Sequence, residues 1–200
     1  MLYWFIKFTL MPILRLIYLI SVEGKENEPE TAYIACANHS SFVDPLLLAV
    51  ILKRKQRFVA RSTLIRFKFF EWIFNKGGVI TIKRGKSDVA AVRAIIKSIK
   101  EGDCVGIFPQ GTRKKGLIPV PKQAEAGLGL IAASTEVPVL PVSIVTKRLK
   151  PGIFRRTRII IGKPIFASEY MNFIENPRKK EIAEYCFSFV CKPFGSENND

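Results

Sequence analysis

The residues best suited to chemistry are a single histidine and a carboxylate five positions after it, within Asn38-His39-Ser40-Ser41-Phe42-Val43-Asp44-Pro45. His39 is the only histidine in the chain. Inside one regular helix these two side chains would diverge by roughly 140°, because each residue turns about 100°. They meet only if His39 precedes a helix whose first turn holds Asp44. The sequence favours that arrangement: Ser40 and Ser41 are good N-cap residues, Ser41-x-x-Asp44 approximates a capping box, and Pro45 is tolerated in a first turn. A carboxylate bonded to one ring nitrogen fixes the tautomer and leaves the other nitrogen free to accept a proton. The same residues also fit a buried histidine satisfied by a capping aspartate.

Two arginines follow strand-like runs elsewhere. Arg84 follows Val79-Ile80-Thr81-Ile82, and Arg113 follows Asp103 to Phe108 through Pro109-Gln110-Gly111-Thr112. A guanidinium grips phosphate through a planar fork of donors. Gly111 permits close backbone approach, and Thr112 adds a hydroxyl donor. A phosphate held by Arg84 and Arg113 would present a neighbouring hydroxyl to His39. The imidazole would take that hydroxyl's proton while the oxygen attacks an activated carbonyl, help that contributes about 10²–10⁴-fold. The chain has no GxSxG elbow, which argues against an acyl-enzyme, and no GxxxxGK[ST] loop, which argues against an ATP-driven reaction.

The elements that must position these groups alternate. Strands are expected at Thr31 to Ala37, Phe58 to Ala60, Val79 to Ile82, Asp103 to Phe108, Val137 to Val145 and Thr157 to Ile161. Helices are expected over Leu46 to Leu52, from Ser87 to near Gly102, over Lys122 to Thr135, and across 168–191 with a break near Pro177. Pro138 and Pro141 predict that Val137 to Val145 lies at an edge or pairs irregularly. The tail after Pro193 is expected to fray. This alternation predicts an α/β fold with a mostly parallel central sheet flanked by helices and a site at the carboxyl ends of the strands.

Composition narrows the partners. An apolar fraction of 48% excludes a disordered chain. A net charge of +15, from 32 basic and 17 acidic residues, predicts an anionic partner such as nucleic acid, an acidic membrane face or a phosphorylated substrate. The four cysteines form no CxxC pair, so a structural zinc site and an oxidising compartment are not indicated. Residues 1–20 are mostly apolar but carry Lys7, Pro12 and Arg15. A spanning helix needs about 20 apolar residues, and a central charge costs roughly 2.5–3.5 kcal/mol. The preferred reading is a segment in one leaflet or at the interface, with Lys7 and Arg15 snorkelling. A buried helix and a single span are the alternatives. A polar turn at Glu23 to Glu30 is expected to end it. Arg61 to Phe74 alternates bases with aromatics, a pattern open to nucleic-acid stacking, to lipid headgroups, or to an amphipathic core helix with a solvated basic face.

Four blocks, in order, resemble the glycerolipid acyltransferase family, in its 1-acyl-glycerol-3-phosphate acyltransferase branch. Asn38-His39-x-x-x-x-Asp44 matches NHxxxxD. Gly78-Val79-Ile80-Thr81-Ile82-Lys83-Arg84 resembles the second block. Phe108-Pro109-Gln110-Gly111-Thr112-Arg113 resembles FPEGTR, and Val137-Pro138-Val139-Leu140-Pro141-Val142 resembles VPVxPV. The resemblance spans roughly residues 31–165. It implies His39 as general base with Asp44 as its partner, and an acceptor phosphate held by Arg84 and Arg113 in a pocket shaped by Gln110, Gly111 and Thr112. It implies transfer of a fatty acyl group from acyl-CoA or acyl carrier protein to the sn-2 hydroxyl of lysophosphatidate, giving phosphatidate. It implies no metal or cofactor and residence on the cytoplasmic face of an anionic membrane; the alternatives are an acyltransferase with another lysolipid acceptor, which Gln110 motivates, and a non-catalytic basic protein that binds membrane or nucleic acid, which the run from Arg61 to Phe74 motivates and the four blocks argue against. On that reading residues 1–22 are the membrane-associated segment and 23–200 the catalytic domain. The family usually has glutamate where this chain has Gln110, which keeps the acceptor oxygen and loses the charge. Longer relatives carry a carboxy-terminal portion that this chain is expected to lack.

Overall fold

A computed structural model describes residues 2–61, 80–82 and 88–196. Its elements are α1 (Leu2–Ile17), β1 (Ile20–Glu23), β2 (Ile34–Ala37), α2 (Asp44–Ile51), β3 (Gln56–Arg61), β4 (Ile80–Ile82), α3 (Asp88–Lys100), β5 (Cys104–Ile107), α4 (Ala126–Thr135), β6 (Val139–Val145), β7 (Thr157–Ile161), α5 (Ala167–Tyr170) and α6 (Lys179–Ser196). The strands form one sheet in the order β1-β7-β6-β2-β5-β3-β4, parallel at every pairing except β6 with β7. This is the expected α/β fold with a mostly parallel sheet.

The two faces of the sheet explain why β2 and β6 are buried at every position rather than at alternate ones. Ile34, Cys36, Val105 and Val139 pack on one face with α3, α4 and α6. Ala35, Ala37, Cys104, Leu140, Val142 and Ile144 pack on the other with α1 and α2. Helices therefore cover both sides of the sheet among the described residues.

Four expectations are corrected. β6 lies inside the sheet, between β2 and β7, so of the two alternatives for Val137 to Val145 the edge position fails and the irregular pairing holds. Gly162 donates its N–H to the Pro141 carbonyl at 2.9 Å. Pairing resumes beyond it, where Val139 exchanges both backbone bonds with Ile165 at 2.9 and 2.8 Å; from Val142–Ile161 to Val139–Ile165 the partner chain advances one residue more than β6, and this bulge is where the proline N–H is missing. Residues 20–23 form a strand, β1, paired with β7, where only the end of an apolar segment was expected. The helix over 179–196 continues through Pro193, with Phe194 buried beneath it, so the fraying does not begin at Pro193. The helix expected from Lys122 begins at Ala126, after a 3-10 turn over Pro121–Gln123.

The amino-terminal helix lies against the body. Leu14 is buried, and Leu10, Met11 and Tyr18 pack on the cluster that includes α2. Lys7 is buried rather than snorkelling, and donates to the carbonyls of Leu52 and Lys53 at the end of α2. Phe8, Thr9, Pro12, Ile13 and Leu16 form its exposed side. Among the described residues, no helix is long and apolar enough to cross a membrane.

Candidate active site

β2 and β5 are neighbours in the sheet, but the chain leaves them in opposite directions. After β2 it crosses to α2 on one face; after β5 it reaches α4 on the other. Loops that part in this way open a crevice at the carboxyl ends of the two strands. His39 follows β2 at that edge, and Gln110 to Arg113 follow β5.

α2 begins at Asp44 with Pro45 in its first turn. The Asp44 carboxylate is fully buried, and its Oδ2 lies 2.9 Å from Nδ1 of His39. The same oxygen accepts the backbone N–H groups of Ser40 and Ser41, each at 2.7 Å. The anticipated capping box is not formed. The N-cap is Val43, without a side-chain cap, and the aspartate reaches backwards to hold the turn that presents His39. A carboxylate can only accept, so His39 carries its proton on Nδ1 and Nε2 is left as the basic nitrogen. The imidazole is partly exposed, as a proton acceptor must be.

The ring is fixed from the other side by stacking. Phe108 lies 4.3 Å from it, centroid to centroid, and Phe58 lies 6.2 Å beyond Phe108. Gly106 makes this possible: a Cβ there would sit 2.2 Å from the Phe58 ring. The backbone before His39 is also held. Asn38 is buried, accepts the N–H of Ile144 at 2.8 Å and donates to the Ile144 carbonyl at 3.1 Å, which ties the end of β2 to β6.

Gln110 is buried, and its Oε1 accepts the backbone N–H of His39 at 2.7 Å. Its Nε2 donates to Gln123 at 2.6 Å. Gly111 takes a positive φ of 67°, turning the loop so that the Thr112 N–H returns to the Gln110 carbonyl at 2.7 Å. Arg113 then lies over the Phe42 ring, its guanidinium carbon 3.3 Å from the centroid. The next residue, Lys114, donates its N–H to the carbonyl of His39 at 2.8 Å. Nη1 of Arg113 is buried and has no hydrogen-bond partner among the described residues.

His39, Asp44, Gln110, Gly111, Thr112 and Arg113 therefore share one edge of the sheet. Arg84 and most of the basic-aromatic run from Arg61 to Phe74 lie outside the described residues. Sequence reasoning did not single out Phe42, Phe108 or Gln123. Phe42 sits in the four-residue spacer and Phe108 opens the FPQGTR block, so both had a local signal. Gln123 had none, because its partner lies across a turn. No group of three or more His, Cys, Asp or Glu residues among the described residues could hold a metal.

The family model described as Acyltransferase matches residues 19–145, from β1 to the end of β6. A chloroplastic 1-acyl-sn-glycerol-3-phosphate acyltransferase of Brassica napus is 32% identical over 180 residues, covering 84% of this chain and 51% of that protein. The 1-acyl-sn-glycerol-3-phosphate acyltransferase of Bacillus subtilis is 27% identical over 168 residues, covering 82% and 81%. The chain spans about half the length of the chloroplast relatives it matches. The crystal structure of the 1-acyl-sn-glycerophosphate acyltransferase of Thermotoga maritima superposes with a TM-score of 0.75 at 24% identity, over 99% of this chain and 79% of that one, and shares its fold. With the family model spanning both loops that build the crevice, the chain belongs to the Acyltransferase family.

Proposed function

We propose that the protein is an O-acyltransferase that moves a fatty acyl group from an acyl-thioester, of coenzyme A or acyl carrier protein, to the sn-2 hydroxyl of 1-acyl-glycerol-3-phosphate. The observation that carries this reading is the 2.9 Å contact of His39 Nδ1 with buried Asp44, at the strand edge shared with the Gly111 to Arg113 loop. Nε2 of His39 takes the proton of the acceptor hydroxyl as its oxygen attacks the thioester carbonyl carbon. The carbon–sulfur bond breaks, and the imidazolium returns the proton to the leaving thiolate. The Asp44 carboxylate stabilises the imidazolium formed between these steps, and no acyl-enzyme, metal or resident cofactor enters.

Arg113 is the proposed phosphate ligand, supported by its buried Nη1, which has no partner among the described residues, and by the peptide link from Lys114 back to His39. Arg84 joins it on the resemblance alone. Gly111 and Thr112 shape the pocket. Gln110 supports it through the N–H of His39, a bond that glutamate or glutamine makes equally well, so the lost charge leaves the site's geometry intact. Working at the cytoplasmic face of an anionic membrane as a peripheral or monotopic protein fits a charge of +15 and a lipid acceptor.

The test is product analysis. Purified protein given lysophosphatidate and mixed acyl-thioesters is expected to form phosphatidate, with lysolipids that lack a phosphomonoester turning over poorly. Equal use of every lysolipid would remove the phosphate clamp, and no acylation with any pair would overturn the reading.

A further inference from the structure

The loop between β6 and β7, residues 146–156, is not used by the chemistry above, yet it is built to be seen. Ile153 and Phe154 at its tip are 63% and 72% exposed. Phe154 is held there at a positive φ of 54°, a region that side chains other than glycine, asparagine and aspartate avoid. The conformation is fixed by bonds on both sides. Phe154 donates its N–H to the Ile17 carbonyl at 2.6 Å, Arg155 to the Gly152 carbonyl at 3.2 Å, and Lys150 to the Thr146 hydroxyl at 2.7 Å. A backbone outlier that surrounding bonds impose on an exposed aromatic points to a use for that aromatic.

The neighbours indicate what use. Lys147, Arg148, Lys150, Arg155 and Arg156 flank the tip and are exposed, and no acidic residue occurs from 137 to 168. The bond to Ile17 sets the tip beside the end of α1, where Leu16 and Leu19 are also exposed. An apolar tip ringed by cations matches the boundary of an anionic bilayer, with aromatics among the acyl chains and bases among the headgroup phosphates.

The topology adds a direction. β6 is parallel to β2, so residue 146 leaves the sheet at the same edge as His39; Asn38, the residue before His39, bonds Ile144 near the end of β6. β7 begins and α1 ends at that edge too, since Thr157 pairs with Ile20. We propose that the 146–156 loop, with the carboxyl end of α1, is the surface that docks on an anionic lipid bilayer and turns the His39 crevice toward it. The proposal rests on the lipid-acyltransferase reading for its purpose, but not for its test.

Flotation with vesicles of phosphatidylethanolamine and phosphatidylglycerol tests it, against vesicles of phosphatidylcholine alone. Asparagine keeps the positive φ of residue 154, so Ile153→Asn with Phe154→Asn removes the apolar tip without backbone strain. That pair should weaken binding at least about tenfold on anionic vesicles. Changing Lys147, Arg148, Arg155 and Arg156 to Gln should weaken it on the order of a hundredfold there, and little on phosphatidylcholine. Turnover of dispersed lysophosphatidate with a short-chain thioester, without vesicles, should match the parent in both variants. Undiminished flotation of either variant would overturn the proposal. Absence of turnover in the parent would instead strike the acyltransferase reading and leave the flotation result standing.

Discussion

One oxygen of Asp44 accepts from three donors: the imidazole of His39 and the backbone N–H groups of Ser40 and Ser41. The side chain thus orients the base and holds the turn that presents it. Asp44→Asn keeps an acceptor oxygen but loses the charge that stabilises the imidazolium. It should lower kcat about 10²–10⁴-fold, with a stability cost of about 1–3 kcal/mol from weaker bonds to buried partners. Steady-state rates beside urea unfolding check both numbers; a large loss of stability with unchanged kcat would leave Asp44 a purely structural cap. The pairing was legible in the sequence because a lone histidine before a capped helix with an acid in its first turn has few geometries open to it. Gln110 was not legible as a support, since its bonds to His39 and Gln123 depend on where the 121–123 turn brings the chain back.

At the scale of elements, α1 shows where periodicity stops discriminating. A mostly apolar helix reads the same whether lipid or protein covers it, and the sequence reading had Lys7 snorkelling to a headgroup boundary. The structure instead directs Lys7 to the carbonyls of Leu52 and Lys53, the open carboxyl end of α2, where a cation also complements the helix dipole. Burial holds the Lys7 ammonium below its usual pKa. Since α2 carries Asp44 at its other end, α1 braces the helix that positions the site. Lys7→Met should lower stability by about 1–2 kcal/mol in urea unfolding and leave vesicle flotation unchanged. A snorkelling lysine would give the reverse pair of results. β6 teaches a similar lesson: its prolines argued for an edge or for irregular pairing, and only the register with the chain after β7 shows that an interior strand takes the second course.

The whole molecule was legible as an α/β sheet because runs such as Ile34 to Ala37 are buried on both faces and therefore read as unbroken apolar stretches. That burial has a consequence at high pH. Cys36, Cys186 and Cys191 hold their protons more tightly than free thiols because burial disfavours the thiolate, with Cys186 and Cys191 pushed up to about 12. Above the unfolded value of 9.0 the unfolded chain releases thiol protons that the folded chain keeps. Stability contributed by these groups is therefore complete below pH 9.0 and falls as the pH rises toward 12. Urea midpoints across that window should decline, and Cys186→Ala should decline less steeply than the parent whatever its starting stability. Parallel slopes would show that Cys186 does not contribute.

The account as a whole turns on the unprotonated nitrogen of His39, and kcat/KM of His39→Ala for lysophosphatidate acylation probes it most directly. With the circular dichroism spectrum unchanged, the loss of a general base predicts a fall of about 10²–10⁴-fold. A variant as active as the parent would contradict the mechanism.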